Sequence, residues 1–227
     1  MINIAIIDKT SDLNSDEMSY INYWCLKNKI HCLYFLKDNH LKYDFELRNG
    51  FSLVDTRVEL KKTLGDVIIN EDDCDKIIYR EINHLKSQSF NPELFLNFKK
   101  SRFYVDNKFN KDLVTKMYKI WVENHINAKD AKVIGAHMHD QIIGLITYEF
   151  PSGDFGEIGL FSVKSKFGNL GIGSNLINKC IFDLKQKKKM YLSVTAQNSN
   201  KRAIKFYLKH GFRFHAKYNW FHKWYSH

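Results

Sequence analysis

Two prolines in 227 residues, Pro92 and Pro151, and the lack of any Pro-, Gly- or Ser-rich tract leave few obvious linkers. Proline-rich and low-complexity architectures are thereby excluded. Cysteine is sparse as well: Cys25, Cys32, Cys74 and Cys180 stand far apart, with no Cys-x-x-Cys pair. That spacing excludes a zinc ribbon or a dithiol redox motif. No apolar run approaches the roughly 18 residues a membrane-spanning helix needs, and the opening MINIAIIDKT lacks the basic stretch and long apolar core of a secretory signal. The expectation is a cytoplasmic protein with reduced thiols and no membrane insertion.

Acidic residues are the minority charge, 25 against 35 basic, a formal net charge of +10. Such a surface attracts anions: nucleic acid, acidic lipid or small phosphorylated molecules. Charge alone does not choose among them. With 44% hydrophobic and 26% charged residues, disorder is excluded. Area scaling lets a chain of this size bury roughly 28,000 Å², enough for a core that needs neither disulfide nor metal.

Turn residues and polarity then divide the chain. Residues 2 to 7 read as a strand, 15 to 29 as a helix, 30 to 36 as a strand, with a short helix ending at Asn49-Gly50 and a strand over 51 to 59. The polar stretch 61 to 76 predicts a connection, and with it a small N-terminal α/β domain, 1 to 65, before a larger unit, 76 to 227. In that unit a strand over 77 to 80 precedes a helix from about 110 to 125, whose Leu113, Met117, Ile120 and Trp121 suggest the buried stripe. Runs 131 to 138, 141 to 150 and 155 to 163, separated by turn residues, predict an antiparallel meander. A helix over 172 to 187, a strand over 190 to 196, a helix over 200 to 210 and strands over 212 to 216 and 219 to 225 complete an α/β order with a mixed, mostly antiparallel central sheet.

Two segments carry chemistry. The strand ending at Val163 runs into Gly168-Asn169-Leu170-Gly171-Ile172-Gly173-Ser174, which opens a helix with Leu176, Ile177, Cys180, Ile181 and Leu184 on one face. A loop without side-chain bulk exposes backbone N–H groups, and a helix N-terminus favours a pyrophosphate there. The dinucleotide fingerprint is excluded, because Leu176 stands at its third glycine and the preceding strand ends a meander. A Walker loop is excluded by the missing GK[ST]. The second segment runs from Asn200, an N-cap, through Ala203 and Tyr207 to Gly211-Phe212.

Together and in this order, the two segments resemble the Gcn5-related N-acetyltransferase (GNAT) family, whose fold is then expected here. The resemblance implies acetyl-CoA as co-substrate, bound between the strands 158 to 163 and 190 to 196. It implies cofactor contacts from Phe161, Ser162, Val163, Gly168, Asn169, Leu170, Gly171, Ile172, Gly173, Ser174 and Asn200. It also implies a backbone N–H near Phe161 for the developing oxyanion, and Tyr207 as the acid that protonates the departing thiolate. One departure stands out: Gly168 occupies a position where the family usually has Gln or Arg.

The run GFSLVDTRVEL at 50 to 60, Ser101-Arg102-Phe103, the helix carrying Tyr118, Trp121, Glu123 and Asn124, and Tyr218-Asn219-Trp220-Phe221 resemble the dTDP-fucosamine acetyltransferase branch of that family. This implies an enzyme that acetylates the 4-amino group of a nucleotide-linked, dTDP-type 4-amino-4,6-dideoxyhexose. Arg102 is the candidate for gripping phosphate, with Phe103 or Tyr104 stacking on thymine. Another amine acceptor, such as a protein N-terminus, peptide, polyamine or antibiotic, stays open, as does an idle acetyl-CoA- or nucleic-acid-binding module. A homodimer through the C-terminal strands is a further expectation of the resemblance.

Other features read as structural. Lys185, Lys187, Lys188 and Lys189 close a helix, where cations suit the dipole, so nucleic acid is not the expected partner. His137 and His139 share a strand face without a ligating partner at metal spacing, and Cys25, His31, Cys32 and Cys74 lack zinc-site spacing, so no metal is expected. The general base is open, with Glu157 and Glu149 as candidates.

Overall fold

The computed structural model describes residues 2–65, 77–84, 90–139 and 141–226. Most of the presumed connection, with Cys74, lies outside the described residues. The order is β1 (Ile4–Ile7), α1 (Ser15–Lys27), β2 (Cys32–Asp38), α2 (Asp44–Arg48), β3 (Ser52–Thr63) and β4 (Ile78–Glu81). Then follow a 3-10 segment (Pro92–Phe98), α3 (Arg102–Val105), α4 (Lys111–Asn127), β5 (Ala131–Met138), β6 (Gln141–Glu149) and β7 (Phe155–Val163). The chain ends with α5 (Ile172–Gln186), β8 (Tyr191–Gln197), α6 (Lys201–Lys209) and β9 (Arg213–Trp224).

Local chemistry sets the helix starts. Asn14 caps α1 in a reciprocal box with Glu17, Asn110 accepts from the N–H groups of Asp112 and Leu113, and Asn200 accepts from Ala203. All described strands join one sheet, ordered β1-β2-β9-β3-β8-β7-β6-β5-β4. Only β1–β2 and β7–β8 are parallel, which is the mixed, mostly antiparallel sheet the sequence predicts.

The two segments expected as separate domains share this sheet. β3, from before residue 65, hydrogen-bonds β8 on one side and β9 on the other. The expected pair of C-terminal strands is one continuous strand. No turn interrupts it, because Lys217 and Tyr218 stay in register with Val58 and Arg57, and a bulge at His215 absorbs the irregularity. β9 is also interior: β2 occupies its other edge along Tyr218–Trp224, so that stretch has no free edge for a partner chain.

The buried stripe of α4 is Val114, Tyr118, Val122 and His125, while Leu113, Ile120 and Trp121 are exposed. The helix carries two adjacent apolar rows, and contact with Phe95, Val133 and Leu160 selects the one the sequence reading passed over. The predicted stripe of α5 is buried as expected, with Leu176, Ile177, Cys180 and Leu184 at 0% exposure. α5 and α6 cover one sheet face and α3, α4 and the 3-10 segment the other.

Candidate active site

β7 and β8 are hydrogen-bonded only from Phe155↔Tyr191 to Ile158↔Val194. Beyond that point β7 stays with β6 as far as Val163 and β8 stays with β3 as far as Gln197. The sheet therefore opens into a wedge between residues 159–163 and 195–197. A bulge sits where the opening begins: one residue of β6, Thr147, faces Gly159 and Leu160 of β7. The buried Thr147 hydroxyl accepts the Leu160 N–H at 2.8 Å, which rules Leu160 out as a donor into the wedge. Residue 159 must be glycine, since a Cβ there would stand 2.8 Å from Thr147 Oγ1 and 3.1 Å from His125 Nε2. Asn97 braces the outer arm, donating to Ser162 Oγ at 2.9 Å and to the Val163 carbonyl at 3.0 Å.

At the mouth of the wedge the chain turns through Gly168, Asn169 and Leu170 into α5. Gly171, at φ +72°, is the N-cap and supplies no side-chain cap. The first-turn N–H groups of Ile172, Gly173 and Ser174 thus lack the usual capping acceptor, as an anion cradle requires. Gly173 allows α6 to close in: its Cβ would lie 3.2 Å from Phe206 and 3.3 Å from Phe161. Side chains here are committed elsewhere. Ile172 is buried in the core, Ser174 Oγ bonds His210 at 3.0 Å, Ser162 holds Asn97 and Asn200 caps α6. Leu170 is exposed. Any ligand contact from most of this set is therefore a backbone contact. One nearby side chain escaped the sequence reading: Arg202 Nη2 lies 3.1 Å from where a Cβ on Gly168 would stand.

Tyr207 lies on α6 among Phe161, Phe206 and Phe212, with ring centroids 6.1, 5.5 and 5.5 Å away. Burial, with Cys180 beside it, pushes its phenol well above the usual value of ten. It is therefore protonated at every physiological pH but gives up its proton less readily than a free phenol.

On the other face α4 stacks Tyr118 on Trp121 and Trp121 on His125, with centroids 6.2 and 6.4 Å apart. This row faces a half-buried polar strip built from alternate residues of β3, Asp55, Arg57 and Glu59, beside Glu157 and Glu149. His125 holds Glu149 at 2.8 Å. Burial raises the Glu157 carboxyl, Arg57 opposes the rise, and the charges of Glu149 and Glu59 add to it. Burial likewise lifts Asp55 to about 6, against Thr56 N–H and Arg102.

Arg102 of α3 lies between Trp220 and Phe103, its guanidinium carbon 4.1 and 4.2 Å from their ring centroids. Burial and the like charge of Arg57 both work to lower its pKa. The buried Nε atoms of both arginines lack a hydrogen-bond partner. Phe103 therefore backs Arg102, and Tyr104 is tied to Thr115 at 2.5 Å and stacked on Tyr118. Arg57 and Asp55 escaped the sequence reading because only the strand pairing brings them beside Arg102.

Two of the lysines that close α5 have partners. Lys189 holds the carbonyls of Pro151 and Gly153, and Lys187 covers the Phe150 ring. Among the described residues no group of three His, Cys, Asp or Glu is placed to hold a metal, and no helix is long and apolar enough to cross a membrane.

Residues 93–212, more than half of the chain, match the model of the acetyltransferase (GNAT) family. The spore coat polysaccharide biosynthesis protein SpsD of Bacillus subtilis is 27% identical over 128 residues, covering 56% of this chain and 44% of that protein. The chain thus spans less than half the length of this curated relative. A GCN5-related N-acetyltransferase from Sphaerobacter thermophilus superposes with a TM-score of 0.64 at 12% identity, over 92% of this chain and 67% of that one. The PaiA N-acetyltransferase of Thermoplasma acidophilum, solved with coenzyme A, gives 0.51 at 18% identity, over 66% of this chain and 99% of that one. With the wedge, the glycine-capped helix and the family match in agreement, the chain belongs to the acetyltransferase (GNAT) family.

Proposed function

We propose that this chain is an acetyl-CoA-dependent N-acetyltransferase acting on the 4-amino group of a nucleotide-linked, dTDP-type 4-amino-4,6-dideoxyhexose destined for surface polysaccharide, in the cytoplasm. The observation that carries the acceptor class is the pair Arg57 and Arg102. Two guanidinium groups within each other's field, each with a buried, unpartnered Nε, favour an anionic ligand beside them. A nucleotide sugar brings a diphosphate, and the printed name of the Bacillus relative supports a polysaccharide setting. A nucleic-acid partner has no such support.

The residues of the wedge fit the co-substrate. The side-chain-free α5 N-terminus suits its pyrophosphate, and the arms 159–163 and 195–197 offer unladdered backbone to its pantetheine. Acetyl-CoA, when bound, supplies an activated thioester carbonyl. Glu157, held protonatable by burial and its acidic neighbours, takes the proton of the attacking amine. The Phe161 N–H is the proposed donor to the carbonyl oxygen as charge develops, since Leu160 is occupied by Thr147. Tyr207, protonated throughout neutral pH, delivers its proton to the departing thiolate.

The test is CoA release with acetyl-CoA against dTDP-, UDP- and GDP-linked 4-amino-4,6-dideoxyhexoses, with spermidine, a peptide amine and an aminoglycoside alongside. Turnover on a nucleotide sugar alone is expected. Turnover only on another amine overturns the acceptor assignment and leaves the acetyl-transfer half standing.

A further inference from the structure

The ladder between β6 and β7 decides which backbone groups the wedge can use. Lys164 N–H donates to the Ile143 carbonyl at 2.8 Å, and Leu160 N–H is held by Thr147 Oγ1. Hydrogen-bonded pairs alternate along an antiparallel ladder, so Leu145↔Ser162 is the bonded pair between those two points. Phe161 and Val163 therefore turn their N–H and C=O groups away from β6 and toward the wedge. Of these four groups the Val163 carbonyl is already taken, by Asn97 Nδ2 at 3.0 Å.

The chemistry of the contact fixes the amide's orientation. A carbonyl oxygen only accepts, so the Asn97 atom against it is the NH2 nitrogen, whose other hydrogen goes to Ser162 Oγ at 2.9 Å. The 3-10 segment that carries Asn97 is seated by other residues. Leu94 and Phe95 are 0% and 1% exposed, and Glu93 Oε2 stands 3.6 Å from the buried Lys164 Nζ. Asn97 itself is exposed, so the segment keeps its place without that side chain.

A chain that adds to a strand edge in the parallel sense donates to the carbonyl of one residue and accepts from the N–H two positions on. On this arm the Phe161 carbonyl and the Val163 N–H form one such bracket for a pantetheine amide. The next bracket outward begins at the Val163 carbonyl, which Asn97 occupies. Because only alternate residues face the wedge, a slip moves the chain by two residues, about 6.6 Å, and takes the thioester away from the Phe161 N–H. We infer that Asn97 is a positioning residue that fixes the register of acetyl-CoA along β7: by capping the Val163 carbonyl it denies the pantetheine the outward step and holds the thioester carbonyl at the Phe161 N–H. The inference rests on the co-substrate and oxyanion reading proposed above and adds a side chain to it.

Acetyl-CoA isotopically labelled at the thioester carbonyl, followed by carbon NMR on the full chain with calorimetry for affinity, tests it without any acceptor. In the parent the bound carbonyl resonance should move downfield of free acetyl-CoA, as a hydrogen bond from the Phe161 N–H requires. Asn97→Ala frees the Val163 carbonyl, and Asn97→Asp keeps the size of the side chain but loses the donor; binding itself reports that each variant has folded. Both should show a carbonyl resonance at the position of free acetyl-CoA growing at the expense of the displaced one. In Asn97→Ala the dissociation constant should stay within threefold of the parent, because the outward register makes as many hydrogen bonds. A displaced resonance kept in full by either variant overturns the role of Asn97. A dissociation constant raised beyond threefold in Asn97→Ala also overturns it, since the amide would then merely support the arm. A parent that binds acetyl-CoA with an undisplaced resonance overturns the register and leaves the co-substrate in place, whereas a parent that does not bind acetyl-CoA overturns both.

Discussion

The guanidinium of Arg202 stands where a side chain at Gly168 would begin: Nη2 is 3.1 Å from the Cβ that glycine lacks. Gly168 is the position at which the family resemblance expects Gln or Arg. Its absence leaves room that a cation from the first turn of α6 fills. Arg202 is exposed, so its contribution to an anion at the α5 N-terminus is moderated by solvent. Arg202→Ala should raise the acetyl-CoA dissociation constant about tenfold, the scale of one charge-assisted hydrogen bond, with thermal stability unchanged. Adding Gly168→Gln to that variant should restore part of the affinity. An unchanged dissociation constant in Arg202→Ala removes Arg202 from the site.

Tyr207→Phe keeps the ring that packs against Phe161, Phe206 and Phe212 and removes only the hydroxyl. Turnover should fall about a hundredfold, the usual worth of a positioned general acid, while acetyl-CoA affinity stays within twofold. Single-turnover kinetics decide it: an unaltered chemical step would leave Tyr207 a packing residue.

The loop and the two helices around it were legible because their signals are local. Glycines at 171 and 173, an Asn cap at 200 and a strict apolar row on α5 follow from backbone chemistry and helical period. The register of α4 was not legible, because Leu113-Met117-Ile120 and Val114-Tyr118-Val122 are equally periodic and only tertiary contact separates them. The place of β3 between β8 and β9 is a long-range pairing that no window of sequence contains. Asp55 and Arg57 went unread for that reason, although Arg102, their neighbour in space, was singled out. Arg202 had a signal, the missing side chain at 168, that points to a compensation without saying where it comes from.

Glu157 must be ionised to accept a proton from the amine. Its carboxyl is raised by burial and by Glu149 and Glu59, so the acid limb of kcat/KM should lie above the ordinary carboxylate range. Glu157→Gln should lower kcat/KM tenfold or more at pH 7 and flatten that limb. A limb that persists unchanged in Glu157→Gln assigns it to another group.

Because β3 ladders to both β8 and β9, removing residues 1–65 would strip the partner from two interior strands and expose their backbone groups. The fragment 76–227 should aggregate or give a collapsed spectrum without dispersed amide signals. A monomeric fragment with native-like dispersion would instead establish residues 76–227 as an independent domain.

Asp55 links the acceptor strip to stability. Its pKa is lifted from 3.8 to about 6, so the folded state holds this proton more tightly than the unfolded chain. The sign follows from that: folding is favoured by the protonated form, stability contributed at low pH is lost as pH rises from about 4 to about 6, and the loss is complete above 6. Asp55→Asn removes the titration. With the partial exposure of the group discounted, the variant should be about 1 kcal/mol more stable than the parent at pH 8, and the difference should vanish near pH 3.5. Thermal or denaturant unfolding at both pH values measures it. The same variant leaves the repulsion between Arg57 and Arg102 with less acidic compensation, so affinity for a diphosphate should rise even as the fold gains stability. A parent more stable than Asp55→Asn at pH 8 would mean that Asp55 is ion-paired to Arg102 strongly enough to outweigh its burial.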